Sequence, residues 1–307
     1  MRHIYAFLLL FSSSYLLAQP HPYGCQHWRT AGGNAAVLNT DGVRALNASI
    51  ARSDTFDVLH YDIAIDICDY SGQTIKAETA IQFVAKMDGQ SNIRFDLVRL
   101  TVDSVKQGSE LLPFETDSEH VNVFLSTQMA VGDTEEVRIY YHGHPYQDPV
   151  WGGFYFESGY IYNLGIGLST IPPNFGKVWY PCFDSFVERA TYMYHVKSAG
   201  TFRAHCQGDF LGETALGGDT VIRNYSFNQP LPTHLSAIAA SDYRSLTFNH
   251  PGAYGPVPVT LNAKPADTTM MRNKFSSLGA AIDACQFWYG PTGWPGVGYS
   301  LTTDGAL

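Results

Sequence analysis

Between residues 55 and 141, apolar side chains return at every second position in one short run after another. A helix cannot satisfy that period, whereas a strand with one buried face does. In the stretch Thr55–Cys68, Leu59, Tyr61, Ile63, Ile65 and Ile67 alternate with His60, Asp62, Ala64 and Asp66. Ile75, Ala77, Thr79, Ile81 and Phe83 repeat the pattern, as do Ile93, Phe95 and Leu97. Val121–Leu125 and Val137–Tyr141 complete this set, with Asp88-Gly89 and Gly132-Asp133 as turns between strands. Val221–Phe227 and Leu235–Phe248 supply later strands. Short strands at such close spacing predict an antiparallel β-sandwich or a large curved sheet.

The run Pro172–Arg189 interrupts this rhythm: P-P-N-F-G-K-V-W-Y-P-C-F-D-S-F-V-E-R. Pro172, Pro173 and Asn174 break regular structure, and Gly176 is expected to take a backbone conformation closed to other residues. Val178, Trp179 and Tyr180 lie just before Pro181, which predicts a buried, rigid corner. Asp184 and Glu188 are expected to pair with Lys177 or Arg189. Beyond the corner, Tyr192, Tyr194 and Val196 share one strand face, with Thr191, His195 and Lys197 on the other.

A hydrophobic content of 45%, including 14% aromatics, is enough to build sizeable cores in a chain of 307 residues, room for about two domains. The net charge of -9 and the absence of any lysine or arginine run remove the electrostatic footprint of a nucleic-acid binder and oppose adhesion to anionic lipid. Residues 1–18 have the order of a secretory signal: basic Arg2 and His3, apolar Ile4–Phe11, then smaller residues to Ala18. The apolar part is shorter than the ~20 residues that span a bilayer. Cleavage after Ala18 and an exported, periplasmic or extracellular product with no membrane span are expected. Gln19–Asp54 has little periodicity and is expected to form an extended arm or leader.

Cys25, Cys68, Cys182, Cys206 and Cys285 are an odd set, far too sparse for a disulfide-built scaffold. Cys182 and Cys206 flank an expected hairpin, where a disulfide and two buried thiols are equally open readings. After Asn249, Val257, Val259, Leu261 and Ala263 form one more strand that Pro265 ends. Asp267 or Thr268 is placed to cap a helix on which Met271, Phe275, Leu278, Ile282 and Cys285 recur at helical spacing, stopping by Gly290-Pro291.

These segments, taken in order, resemble the aminopeptidase N family of zinc metallopeptidases. W-Y-P-C-F-D (179–184) followed by A-T-Y-M-Y-H-V (190–196) resembles that family's F-P-C-x-D-E-P … K-A-x-F segment. H-Y-D-I-A-I-D-I (60–67) is similar to its first strand, and I-R-F-D-L with L-T-V-D-S-V-K-Q-G (93–97, 100–108) to the strands that follow. The glycine- and aromatic-rich run Trp151–Gly167 fits the family's loop before the corner, and H-L-S-A-I-A-A-S-D-Y (234–243) its closing strand. The resemblance implies a saddle-like β-domain over 55–248. From 249 to 307 it implies the first strand and helix of a thermolysin-like α/β catalytic domain, cut short before the zinc motif.

The final residues, Y-S-L-T-T-D-G-A-L, line up with the approach to the family's G-A-M-E-N motif. By resemblance Gly305 and Ala306 line the bound peptide, with Leu307 in place of methionine. The motif's glutamate, which holds the substrate's α-amino group, and the H-E-x-x-H helix are absent from the sequence given. The family glutamate or glutamine upstream of the corner is also missing, since that region reads Thr170-Ile171-Pro172-Pro173.

Zinc hydrolysis needs two histidines a helical turn apart, a third ligand and a carboxylate to activate water. Among the 11 histidines, His142-Gly-His144 is the only close pair, and it reads as the end of a strand. Cys25-Gln-His27 lies in the leader, and no G-x-S-x-G elbow is present. Gly165-Ile-Gly167 lacks the remaining glycine and following helix of a nucleotide loop. The sequence therefore assigns no catalytic residue, no metal ligand and no cofactor to this chain; zinc and peptide substrate belong to a full-length parent.

The leading expectation is the amino-terminal part of an exported zinc aminopeptidase, inactive by itself, whose partner is the absent remainder of the catalytic domain. The helix face Met271, Phe275, Leu278 and Ile282 is then expected to lie exposed as a hydrophobic patch. A secreted non-catalytic β-protein that binds peptides or a protein partner is the alternative. An exported glycan-binding sandwich rests only on exposure of the aromatics between Trp151 and Tyr162.

Overall fold

A computed structural model describes residues 40–303; residues 1–39 and 304–307, including the signal, Cys25-Gln-His27, Gly305 and Ala306, lie outside it. The first described element is a helix, α1 (Thr40–Ala51), followed by a 3-10 turn over Arg52–Asp54. This part of the expected extended arm is therefore helical. The strands then run β1 (Phe56–Asp66), β2 (Ile75–Ala85), β3 (Gln90–Asp96), β4 (Thr101–Gln107), β5 (Glu110–Leu111) and β6 (Phe114–Thr116). They continue β7 (His120–Met129), β8 (Thr134–Gly143), β9 (Gly153–Glu157), β10 (Tyr160–Leu164), β11 (Ala190–Ser198) and β12 (Arg203–Cys206). Next come β13 (Asp209–Gly217), β14 (Thr220–Leu231), β15 (Ile238–Ser241), β16 (Arg244–Gly252) and β17 (Gly255–Ala263). After α2 (Thr268–Lys274) and α3 (Leu278–Tyr289), β18 (Val297–Ser300) closes the described chain.

An eight-stranded sheet in the order β13-β14-β11-β1-β2-β8-β4-β5 carries the fold. Most neighbours are antiparallel, as the alternation predicts, but β11 lies parallel to β1, with Tyr61 beside Tyr192 and Ile63 beside Tyr194. The inner face of β1 changes parity along the strand. Phe56 and Val58 are buried, Leu59 is exposed, and Tyr61, Ile63 and Ile65 are buried again. A register shift between Val58 and His60 explains the change, so Leu59 leaves the face to which simple alternation assigns it.

A three-stranded sheet, β3-β7-β6, and a four-stranded sheet, β12-β15-β10-β9, cover the large one. Their Phe95, Val121, Val123, Phe154, Phe156 and Ile161 join Tyr61, Ile81, Phe83, Ile139, Tyr192 and Tyr194 in one hydrophobic cluster. Each such side chain contributes roughly 1.5–3 kcal/mol of burial, so this cluster outweighs local propensity in deciding the fold. The aromatic run Trp151–Gly167, expected as a loop, contains the β9–β10 hairpin, and its Phe154, Phe156, Tyr160 and Tyr162 are buried. That burial removes the exposed platform on which a glycan-binding reading depended.

The fourth sheet, β16-β17-β18, begins at Arg244, so the boundary expected between residues 248 and 249 falls inside β16. It has its own core of Val257, Val259, Leu261, Ala263, Met271, Leu278 and Ile282. The helix face expected to lie bare is thus covered by the sheet that precedes it. The single expected helix is two, because Phe275 leaves helical geometry and the Ser276 amide turns back to Asn273. Serines at 276 and 277 favour such local alternatives to a continuous ladder. No side chain caps α2; a 3-10 turn over Pro265–Asp267 leads into it, and the Thr268 hydroxyl donates to the Pro265 carbonyl. On α3 the buried stripe continues through Gln286, whose side-chain oxygen accepts the Ala253 N–H at 2.8 Å, while Cys285 is exposed. The opposite side ends in Phe287, Trp288 and Tyr289, which are 78%, 75% and 87% exposed.

Candidate functional site

The Pro172–Arg189 corner is fixed to the end of β3 by two reciprocal backbone bonds, Asp96 N–H to Cys182 O at 2.8 Å and Cys182 N–H to Asp96 O at 3.0 Å. Trp179, Tyr180, Cys182, Phe183 and Asp184 are buried, as the apolar run before Pro181 predicts. Tyr61 OH accepts the Phe183 N–H at 3.0 Å, and Tyr180 OH donates to the Thr233 carbonyl at 3.0 Å. Gly176 is required for space and not for an unusual φ: a Cβ there would lie 3.0 Å from both Asp184 Oδ1 and the Thr233 carbonyl oxygen.

The charged groups of the corner do not pair as expected. Asp184 accepts the Thr233 hydroxyl at 2.7 Å and the Lys177 backbone N–H at 3.2 Å, and burial raises its carboxyl above the ordinary range. Glu188 accepts the Val58 N–H at 3.4 Å, and burial raises it too. The ion pair of the region is Arg52 with Asp96, at 2.5 Å, and Asp96 also accepts the Asp184 N–H at 2.9 Å. Arg52 follows α1 directly, so the segment before β1 is anchored to the corner by charge. Sequence spacing gives no sign of this pair, whose members are 44 positions apart.

Cys68, Cys182, Cys206 and Cys285 are free thiols. Burial pushes Cys182 and Cys206 up, and pushes Cys68 up to about 12, so none of these three is a thiolate nucleophile near neutrality. His142 and His144 do not converge. His142 Nδ1 faces Asp103 at 2.9 Å, and His144 Nδ1 donates to the Gln73 carbonyl at 2.7 Å. Among the described residues no group of three or more His, Cys, Asp or Glu side chains is placed to hold a metal ion. The glycines of Gly165-Ile-Gly167 serve packing: the Phe175 N–H donates to Gly165 O and the Gly167 N–H to Pro173 O, each at 2.7 Å.

Gly305 and Ala306, expected to line a peptide, lie beyond the described residues, but the chain leading to them is placed. β18 runs parallel to β17, and the Leu301 N–H donates to Asn262 O at 2.8 Å. Tyr243 OH donates to the Leu301 carbonyl at 2.7 Å. Two residues on, the Thr303 hydroxyl donates to Glu157 Oε1 and lies 2.9 Å from Tyr162 OH, which itself donates to Glu157 Oε1 at 2.6 Å. The β9–β10 hairpin thus meets the chain two residues before Gly305.

That hairpin is held firmly. Ser158 and Gly159 at its tip have φ of 50° and 74°, the left-handed pair of a tight I′ hairpin turn. Gly159 N–H donates to Tyr70 OH at 2.7 Å, and Ser241 Oγ donates to the Gly159 carbonyl at 2.6 Å. Lys264, at the end of β17, donates to the Ser158 carbonyl at 2.6 Å and stands 3.7 Å over the Tyr160 ring. The cluster of Glu157, Tyr162 and Thr303 is the candidate site. Sequence reading picks out Tyr162 only as one of a run of aromatics and Glu157 not at all, because nothing in the hairpin announces a neighbour 146 positions downstream.

No known family profile and no curated protein sequence matches the chain. Solved structures do. An M1 zinc metallopeptidase from Deinococcus radiodurans superposes with a TM-score of 0.71 at 20% identity, over 81% of this chain and 57% of that one. A variant of an M1 zinc metallopeptidase from the same organism with a Tyr-Ser-Ala substrate bound matches equally at 21% identity, and a two-domain M1 zinc metallopeptidase variant bound to L-tryptophan does so at 20%. At this identity the likeness establishes a shared fold, and the chain spans little more than half the length of these neighbours. The mainly β architecture is therefore that of M1 metallopeptidases, the aminopeptidase N family, and fits their amino-terminal part.

Proposed function

We propose that this chain is the amino-terminal scaffold of an exported zinc aminopeptidase, a protein that releases amino-terminal residues from peptides. The observation that carries the reading is the likeness to M1 metallopeptidases over 81% of the chain, among them one with a tripeptide substrate bound. It agrees with the ordered motifs from His60 to Ala306 in the sequence. In this reading the β-domain presents the Glu157 hairpin to Thr303, and Gly305 and Ala306, by resemblance, line the peptide. The described side chains do not form a zinc site, so no hydrolytic step is routed through them. Metal and activated water come from the remainder of the catalytic domain, which is also the proposed partner of the exposed Phe287, Trp288 and Tyr289. Export rests on the signal-like order of residues 1–18, and no described helix is long and apolar enough to cross a membrane.

Two measurements test this. The purified 307-residue chain should release no chromophore from an alanine anilide and bind no stoichiometric zinc. The coding sequence beyond Leu307 should give Glu and then H-E-x-x-H. Chelator-sensitive turnover by the chain itself overturns the inactive-scaffold reading. A stop codon directly after Leu307 favours the non-catalytic peptide- or protein-binding alternative.

A further inference from the structure

Glu157 is exposed, yet its Oε1 takes the hydroxyls of both Tyr162 and Thr303. Tyr162 is 2% exposed and stacks on Tyr155 with ring centroids 5.0 Å apart, so its hydroxyl has a fixed origin. The carboxylate therefore joins a side chain locked in the hairpin to a side chain at the end of the described chain. The platform cannot swing easily, because Tyr70, Ser241 and Lys264 each hold the two-residue turn beside Glu157. An exposed hydrogen bond is ordinarily worth little; one between preorganised partners loses less entropy on forming.

From this geometry we infer that Glu157 and Tyr162 are positioning residues that fix the start of the segment carrying Gly305 and Ala306. Its relevance to substrate rests on the function proposed above, whereas the latch itself can be judged separately. The acceptor is one carboxylate oxygen and the donors are two hydroxyls, so glutamine preserves the acceptor and alanine removes it. Thr303→Val removes the donor at nearly constant shape.

The test is NMR on the 307-residue chain. In Glu157→Ala and Thr303→Val, exchange of the Leu301 amide should rise about tenfold and the order parameter of the residue-303 methyl groups should fall. Glu157→Gln should restore most of both, and the Val259 amide should be unchanged throughout as the control for folding. Wild-type values in Glu157→Ala and Thr303→Val overturn the latch, as does a glutamine variant no better than alanine. A second arm uses whichever complete gene product shows aminopeptidase turnover. There Glu157→Ala should raise KM several-fold with kcat within about twofold, and unchanged KM and kcat overturn the substrate role. A gene product with no turnover defeats the proposed function and leaves the latch to be judged by NMR.

Discussion

His205 on β12 makes the fold sensitive to acid in a way that a single substitution isolates. Its Nε2 accepts a hydrogen bond from Arg223 at 3.1 Å, which places the ring proton on Nδ1, 3.5 Å from Tyr225 OH. Tyr225 OH in turn donates to the Ala204 carbonyl at 3.1 Å. Arg223 cannot move aside cheaply, because it lies over the Phe210 ring at 4.3 Å and donates to Ala204 O at 2.8 Å. Burial first, and the Arg223 charge second, pull the His205 pKa down to about 3. An unfolded histidine titrates near 6.5. A depressed folded pKa leaves the stability intact above that value and removes it as pH falls toward the folded one, because only the unfolded chain gains the proton.

Between about pH 7.5 and about pH 5 the unfolded imidazole becomes almost fully protonated while the native one does not, a cost of about 2 kcal/mol. The perturbation is His205→Gln, which retains polarity without a titrating ring. Urea unfolding of both proteins at the two pH values gives the answer as a double difference. This form is needed because His195 acts in the opposite sense. Its hydrogen bond to Asp62, with which it pairs at 3.2 Å, raises its pKa. That stability is complete below about 6.5 and is lost only as pH rises through the raised value. The variant should lose about 2 kcal/mol less than the wild type on acidification. Equal losses in the two proteins refute the reasoning, as does an NMR titration of His205 with a midpoint above about 5.5.

Four further variants address packing, a buried hydrogen bond and the exposed aromatic surface. In Gly165→Ala the new Cβ would stand 1.6 Å from the His234 carbonyl oxygen, so backbone must move, and a loss of about 3 kcal/mol or more is expected in urea unfolding. Gly293→Ala, with no atom within 4 Å, is the near-neutral control. Tyr61→Phe leaves the buried Phe183 N–H without its acceptor and should cost about 1–3 kcal/mol; a cost under about 0.5 kcal/mol means the N–H finds another partner. Phe287→Ser combined with Trp288→Ser should lower the fluorescence of a hydrophobic dye by more than half at unchanged Tm, whereas unchanged fluorescence locates the sticky surface elsewhere.

Strands were legible where one face is buried and the other wet. Ile81 and Phe83, or Val137 and Ile139, repeat at two residues because the large sheet has a core side and a solvent side. The hairpin of β9 and β10 was hidden for the opposite reason. In Tyr160–Leu164 successive residues Tyr160, Ile161, Tyr162 and Asn163 are all buried, so there is no alternation to see. β13 hides in the other direction, since nearly all of Asp209–Gly217 is exposed along an edge. The helix pair kept its phase through the break at Phe275, which is why Met271, Leu278 and Ile282 were assigned to one face. What covers that face depends on the return of β17, a tertiary fact that helical periodicity does not contain.

The candidate site was less legible because its chemistry is divided between distant segments. Asp184 and Glu188 stand in the sequence as neighbouring carboxylates suited to pairing, but burial among hydroxyl and amide donors suits them to hold the corner, where charge partners would need their own desolvation. Glu157 carries no such signal, since a lone acidic residue at a hairpin tip is commonly solvated. Its significance comes from β18, which runs parallel to β17 and delivers Leu301 to the Tyr243 hydroxyl and Thr303 to the hairpin. A parallel pairing requires a long crossover, here α2 and α3, so the meeting of Glu157 with Thr303 depends on that excursion returning in register. A shift of β18 by one residue against β17 would turn Thr303 away from Glu157. The site is thus a property of the register of the fourth sheet, and disturbing the Val259–Val297 pairing should loosen Thr303 as surely as removing the carboxylate.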